Sequence, residues 1–162
     1  MSEIIYRLVN GSQDPVLDQV KFMFREMYME MGKQGLMLPL SDNGADKWLE
    51  SLRVTVGRFG ILAIAQEDGH LVGFGHGALK WLPEYLGNLK AGVITHLYIQ
   101  PPHRKNQIGR NLVLMLEKWF AEKKVHSIEL QVISANEAKA FWEKVGYDLE
   151  LFQYRKFPGS NT

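Results

Sequence analysis

The sequence predicts a mixed α/β (α+β) domain, one sheet flanked by helices. Three observations carry this. Runs with a period of two alternate with runs spaced three to four along the whole chain. The turn dipeptide Asp68-Gly69 joins two neighbouring strand-like runs into a hairpin. A strand, a long helix and another strand then follow one another across 93–132, which is the order of a parallel crossover. The 162 residues suit one domain, and no repeat or Pro/Gly/Ser linker divides them, so a single domain over 1–162 is expected.

Ile4 to Leu8 reads as the first strand. Asp14-Pro15 starts a helix, with the aspartate accepting from free N–H groups and proline in the first turn. Val16, Val20, Met23, Met27 and Met31 mark its apolar stripe, and Gly32 and Gly35 end it. An unusually apolar loop at 33–43 leads to a helix at about 44–53, with Trp48, Leu49 and Leu52 inside. The hairpin strands are Ile61 to Gln66 and His70 to Leu79. Gly73, Gly75 and Gly77 share one face of the second strand, which leaves room either for a ligand or for a closely packed helix. An aromatic loop from Trp81 to Lys90 precedes a strand from Val93 to Ile99, which Pro101-Pro102 stops. Ile108, Leu112, Met115, Leu116, Trp119 and Phe120 then form a helical stripe. Ile128, Leu130 and Val132 alternate as a strand, Asn136 to Lys144 is a short helix capped by Gly146, and Tyr147 to Arg155 closes the chain as a strand.

Composition removes several classes of function. With 46% hydrophobic and 23% charged residues the chain can bury a core, so disorder is excluded. It has no cysteine, hence no disulfide scaffold, thiolate metal site or cysteine nucleophile. A net charge of +1 gives no global pull toward nucleic acid or anionic lipid. No apolar run reaches the length of a membrane helix, and the N-terminus lacks a signal-peptide pattern, so a soluble cytoplasmic protein is expected. No P-loop, HExxH or nucleophile-elbow pattern occurs.

The chemistry-bearing stretch is Tyr98-Ile-Gln-Pro-Pro-His-Arg-Lys-Asn-Gln-Ile-Gly-Arg-Asn-Leu-Val. A strand ends there, turns, and a long helix begins with its free N–H groups near 107–111. Unpaired donors and the positive end of the helix dipole attract an anion at such a point. His103, Arg104, Lys105 and Arg110 surround it, and a pyrophosphate suits the arrangement; a solvated basic turn is the plain alternative.

Two blocks here resemble the GNAT N-acetyltransferase superfamily. Ile99-Gln-Pro followed by Arg104-Lys-Asn-Gln107-Ile-Gly109 is similar to that family's hydrophobic-x-Pro and Arg/Gln-x-x-Gly-x-Gly/Ala loop. Asn136-Glu-Ala-Lys-Ala-Phe-Trp-Glu-Lys-Val-Gly-Tyr147 is similar to its Asn-x-x-Ala-x-x-Phe-aromatic-x-x-x-Gly-aromatic block. The resemblance spans 93–155, while the N-terminal half agrees only in its order of elements. It implies a central sheet of about six or seven strands with about four helices, and direct acetyl transfer from acetyl-CoA to a primary amine. It also implies a strand at 93–99 splayed from its neighbour, with the backbone of Leu97, Tyr98 and Ile99 holding the pantetheine arm. The pyrophosphate would rest on Arg104, Lys105, Asn106, Gln107, Ile108, Gly109 and Arg110, with Asn136 contacting the cofactor. No metal is implied. Three positions depart from the pattern: Gln107 for glycine, Trp142 for a tyrosine acid, and Val93 for a glutamate base.

An amine with a pKa near 10.4 must lose a proton before it attacks, which costs about 4–5 kcal/mol at pH 7. His96 is the first candidate base, expected to titrate near neutrality on the face shared by Ile94 and Tyr98, and His76 is the second. Tyr98 or Tyr147 would protonate the leaving thiolate. The acceptor, a small-molecule or peptide amine, would lie against the 33–43 and Trp81 to Tyr85 loops, with Glu30 and Glu84 as anchors. The final strand leaves a homodimer open. Two other readings compete with this one: a non-catalytic acyl-CoA-binding module of the same fold, and a nucleic-acid surface on Arg104, Lys105, Arg110, Lys123 and Lys124, against which the balanced charge argues.

Overall fold

In the computed structural model, which describes residues 2–134 and 137–159, every strand and helix of the first 130 residues follows the predicted order. The elements are β1 (Ile4–Val9), α1 (Val16–Lys33), α2 (Gly44–Thr55), β2 (Gly60–Glu67), β3 (His70–Trp81), β4 (Lys90–Ile99), α3 (Ile108–Glu122), β5 (Ser127–Leu130) and α4 (Ala138–Lys144). Short 3₁₀ turns at Glu84–Leu86 and Pro101–His103 fill the connections before β4 and α3. Asp14 accepts a hydrogen bond from the Val16 amide at 3.0 Å at the start of α1. Gly35, at φ +106°, stops α1 one turn later than Gly32. There the Leu36 amide reaches back to the Met31 carbonyl, the six-to-one bond of a Schellman ending.

The sheet order is β1-β2-β3-β4-β5, antiparallel except for β4 and β5, which run parallel as the crossover requires. Asp68 and Gly69 both take positive φ between β2 and β3, as a two-residue hairpin turn needs. One face packs on α1 and α2 through Leu17, Phe24, Leu52, Leu62, Ile64 and Phe74. The other packs on α3 and α4 through Ile61, Ala63, Leu112, Leu116, Phe120 and Trp142.

The glycine face of β3 serves the second of these layers. A Cβ on Gly77 would stand 2.7 Å from Phe120 Cζ, and one on Gly92 of β4 2.6 Å from Phe120 Cδ1. The two glycines form the notch that seats the Phe120 ring, so close helix packing is what the glycine stripe achieves. Gly73 lies nearer the end of β4, where its Cβ would meet Ile99 Cδ1.

Two expectations need correcting. Among the described residues the sheet has five strands rather than six or seven. Tyr147 to Arg155 forms no strand, and Leu151, Phe152 and Tyr154 are exposed. β5 also stops at Leu130, so Val132 lies beyond it. An alternating apolar segment becomes a strand only where an edge offers backbone partners, and β5 is four residues long. The second correction concerns β4: Ile94 packs in the α3 layer, whereas Tyr98 packs in the α1 layer. The register explains it. His76 pairs with His96 but Gly77 pairs with Ile94, so Thr95 is an extra residue, a β-bulge that reverses the alternation.

Candidate active site

The parallel pairing of β4 with β5 covers only Ala91 to Ile94 against Ser127 to Leu130. Beyond Ile94, β4 keeps β3 on one side and has no paired strand on the other among the described residues. A cleft of about 1210 Å³ opens along that free edge, lined by Leu97, Tyr98 and Ile99, the 103–110 turn, α1 and α4. Gln100 donates its amide to Val72 of β3, while the Ile99 carbonyl accepts from Arg104 Nε at 2.8 Å on the opposite side. Strand alternation then sends the backbone groups of Tyr98 to β3 and those of Leu97 to the free edge. Of the three backbone positions expected to hold a pantetheine arm, Leu97 is left open at both groups and Ile99 at its N–H, while Tyr98 faces β3.

The turn into α3 is built to present amides. Lys105 and Gln107 both hold positive φ, +67° and +66°, with Asn106 between them at an ordinary φ. Such alternation turns successive N–H groups toward one concavity. No side chain caps α3, so the amides of Ile108, Gly109 and Arg110 stay open at the positive end of a 15-residue helix. Lys105 and Arg110 have no carboxylate partner among the described residues. Gly109 faces α4, where a Cβ would touch the Phe141 ring at 3.4 Å.

Arg104, by contrast, is occupied. Its guanidinium forms a two-pronged pair with Glu30 of α1 at 2.7 and 2.8 Å. It also lies 5.2 Å from the centre of the Tyr98 ring. Burial and a hydrogen bond to Glu30 push the Tyr98 hydroxyl up to about 12. Arg104 and Tyr98 together hold the carboxyl of Glu30 below its ordinary range, although burial opposes them. Glu30 is therefore not a free anchor for an acceptor amine, and the Tyr98 proton is committed to it.

His96 and His76 lie together on the α1–α2 side of the sheet. The His96 ring sits within an aromatic box, 5.0 Å from Phe24, 5.7 Å from Trp48 and 6.2 Å from Tyr28. Burial lowers His96 to about 3, helped by neighbouring His76, and lowers His76 to about 4. Both imidazoles are thus neutral at physiological pH, and the expected titration of His96 near neutrality does not hold. Thr95, the bulge residue, ties the two rings together through its hydroxyl.

A family model, described as the acetyltransferase (GNAT) family, matches residues 24–147, well over half of the chain. The chain belongs to the GNAT acetyltransferase family. As a GNAT protein it is an N-acetyltransferase by class. No curated protein matches it in sequence. Solved structures resemble it in fold. A predicted acetyltransferase with acetyl-CoA from Clostridium acetobutylicum aligns with a TM-score of 0.77 at 16% identity, covering 96% of both chains. An aminoglycoside N-acetyltransferase, AAC(6')-Iy, in complex with CoA aligns at 0.76 and 14% identity, again over 96% of each. Glucosamine-6-phosphate N-acetyltransferase from Arabidopsis thaliana aligns at 0.69 and 18% identity, over 96% of this chain and 99% of its own.

Within this GNAT domain the expected site residues divide into three groups. Leu97, Tyr98, Ile99, Arg104, Lys105, Gln107, Ile108, Gly109 and Arg110 all line the cleft. Asn106 belongs to the same turn, and Asn136 lies outside the described residues. His96 and His76 stand beneath the free edge of β4 rather than in the cleft wall. Tyr147 is apart: its hydroxyl donates to Glu117 at 3.1 Å, and burial with that carboxylate pushes its pKa well above the ordinary value. It borders a separate groove beside β5. Trp142 is buried core, in edge contact with Phe141 and Tyr147. Sequence reasoning missed Thr95 and the Glu30–Arg104 pair, because a bulge and a contact between residues 74 positions apart leave no local signature.

Proposed function

We propose that this GNAT protein transfers the acetyl group of acetyl-CoA to a primary amine, in the cleft between the free edge of β4 and the start of α3. The observation that carries the reading is their juxtaposition. An open β-strand edge offers a backbone donor and acceptor at Leu97, and the same cleft holds the uncapped helical amides at the start of α3, with Lys105 and Arg110 lacking a carboxylate partner among the described residues. The first suits an extended amide-bearing arm and the second a pyrophosphate.

The chemistry forms a C–N bond and breaks the thioester C–S bond, and the proton lost by the amine balances the one the thiolate takes up. The free amine attacks. Burial keeps His96 neutral, so it is available as a proton acceptor at every working pH. A basicity this low makes it a weak acceptor, able to take a proton only transiently from the more acidic ammonium that exists once the C–N bond has formed, and not from the parent ammonium ion. The leaving thiol has a pKa near 8.5 and departs as thiolate without help from Tyr98 or Tyr147, whose protons face carboxylates. The acceptor class is a small-molecule or peptide amine.

Mass spectrometry of acetyl-CoA with pooled amines, paired with calorimetry of acetyl-CoA binding, tests this. Acetylated product, and loss of binding in a folded Gly109→Val variant, are the expected results. Tight binding with no turnover on a broad amine panel would replace the enzyme with an acyl-CoA-binding module. Unchanged affinity in the valine variant would place the cofactor elsewhere.

A further inference from the structure

Thr95 is exposed, yet its hydroxyl meets three polar groups, each on a histidine. Oγ1 lies 2.5 Å from His76 Nδ1, 2.9 Å from His96 Nδ1 and 3.2 Å from the His76 carbonyl oxygen. A hydroxyl has one proton and two lone pairs. The carbonyl can only accept, so the single threonine proton satisfies it. Both lone pairs then accept, and both ring nitrogens must be the donors. The network closes with each imidazole protonated at Nδ1 and bare at Nε2.

A second observation points the same way. His76 Nε2 is enclosed and has no hydrogen-bond partner among the described residues. His76 is only 8% exposed, so a proton on that nitrogen would be a buried, unpaired donor. Such donors are rarer and costlier than an unpaired acceptor. The neutrality of both rings agrees with this assignment, since neither needs a second N–H. The bulge explains how one side chain reaches both histidines. Thr95 has no cross-strand partner, and His76 and His96 are paired directly opposite each other beside it. The bulge lies at the point where β5 leaves β4, one residue after the last parallel pair at Ile94.

We propose that Thr95 is a positioning residue of the acetyl transfer, fixing His76 and His96 as Nδ1–H tautomers so that the Nε2 lone pair of His96, which stands outside the cleft wall, stays free to accept the amine proton through an intervening water. This rests on the acetyl-transfer reading for its catalytic part, and on the hydrogen-bond network alone for its tautomer part.

Long-range proton–nitrogen NMR of the intact, ¹⁵N-labelled protein reads the tautomers without any substrate. Both rings should show a protonated Nδ1 and a bare Nε2. In Thr95→Val the rings should lose that uniform state, while Thr95→Ser should restore it. With an identified amine, Thr95→Val should lower kcat by about tenfold or more, toward the ~10²-fold loss typical of an absent base. Acetyl-CoA affinity should be unchanged, and serine should recover most of the rate. An Nε2–H tautomer for His96 in the unsubstituted protein would overturn the proposal, whatever the activity. So would a folded valine variant with full kcat. If the unsubstituted protein turns over no amine, the acetyl-transfer reading fails, and the spectra alone then decide whether Thr95 sets the tautomers.

Discussion

Gln107 occupies φ +66°, ψ +4°, a left-handed conformation that costs a non-glycine residue roughly 1–2 kcal/mol. Glycine removes that cost and keeps the amide, although it adds freedom to the unfolded chain. Gln107→Gly is therefore expected to raise stability by at most about 1 kcal/mol and to bind acetyl-CoA as tightly or more tightly. Differential scanning calorimetry and titration calorimetry check the two halves, and a large loss of affinity would show that the glutamine amide itself contacts the phosphate. The opposite outcome is expected where the glycine holds open a space. A methyl group on Gly92 would stand 2.6–2.8 Å from three atoms of the Phe120 ring, a rigid and fully buried neighbour. Gly92→Ala should lower stability by about 1–3 kcal/mol through overpacking. Gly73→Ala should also lower stability: the tip of Ile99 at 2.7 Å can move aside, but the Tyr98 carbonyl oxygen at 3.1 Å belongs to the backbone. A Tm for Gly92→Ala equal to that of the parent protein would refute the notch.

At the scale of elements, what was legible was periodicity and punctuation. The α1 and α3 stripes, the Asp68-Gly69 hairpin and the Gly146 ending are local patterns, and each lies where the residues said. Positions fixed by a partner distant in sequence were not legible. Strand alternation put His96 with Ile94; the bulge at Thr95 separates them, and no residue type at 93–99 announces it. Likewise the sequence marks the whole basic turn as open to an anion, yet Arg104 is clamped to Glu30 of α1. That clamp ties the 104–110 turn to the helix roofing the other layer. With both side chains partly exposed, the pair is expected to contribute only about 0–1 kcal/mol to stability. Its larger effect is on Tyr98. In Glu30→Gln the Tyr98 hydroxyl loses its carboxylate acceptor, so its pKa should fall from about 12 yet stay above 10.0, because burial is the leading cause and persists. Carbon-13 NMR of labelled tyrosine follows this, and an unmoved pKa would mean that the hydroxyl is not held by Glu30.

At the scale of the whole molecule, two apolar layers are separated by one sheet, and the imidazole pair is the polar insertion in the α1–α2 layer. Its burial couples folding to pH with a definite sign. His76 is lowered from 6.5 to about 4 and His96 to about 3, so below pH 6.5 the unfolded chain binds protons that the folded chain refuses. Stability is then complete above about pH 6.5 and declines as pH falls toward 4. At 1.36 kcal/mol per unit, His76 alone accounts for a loss on the order of 3 kcal/mol across that window. The carboxylates held low by partners, Asp14, Glu30 and Asp46, start from 3.8 to 4.5, so their contribution is lost mainly below pH 4.5. Between pH 6.5 and 4.5 the slope therefore belongs to the histidines. Urea denaturation at half-unit steps should show unfolding free energy flat from pH 8 to 7 and falling steadily from 6.5 to 4.5, and His76→Gln should flatten that limb. The same burial removes the rising limb near pH 6.5 that a catalytic base with an ordinary histidine pKa would give kcat/KM. Any rise above pH 7 should follow the acceptor amine and shift when a less basic amine is used. A stability profile level from pH 7 to 5 would mean that the imidazoles titrate in the folded protein as they do in water, and would return His96 to the role of an ordinary titrating base.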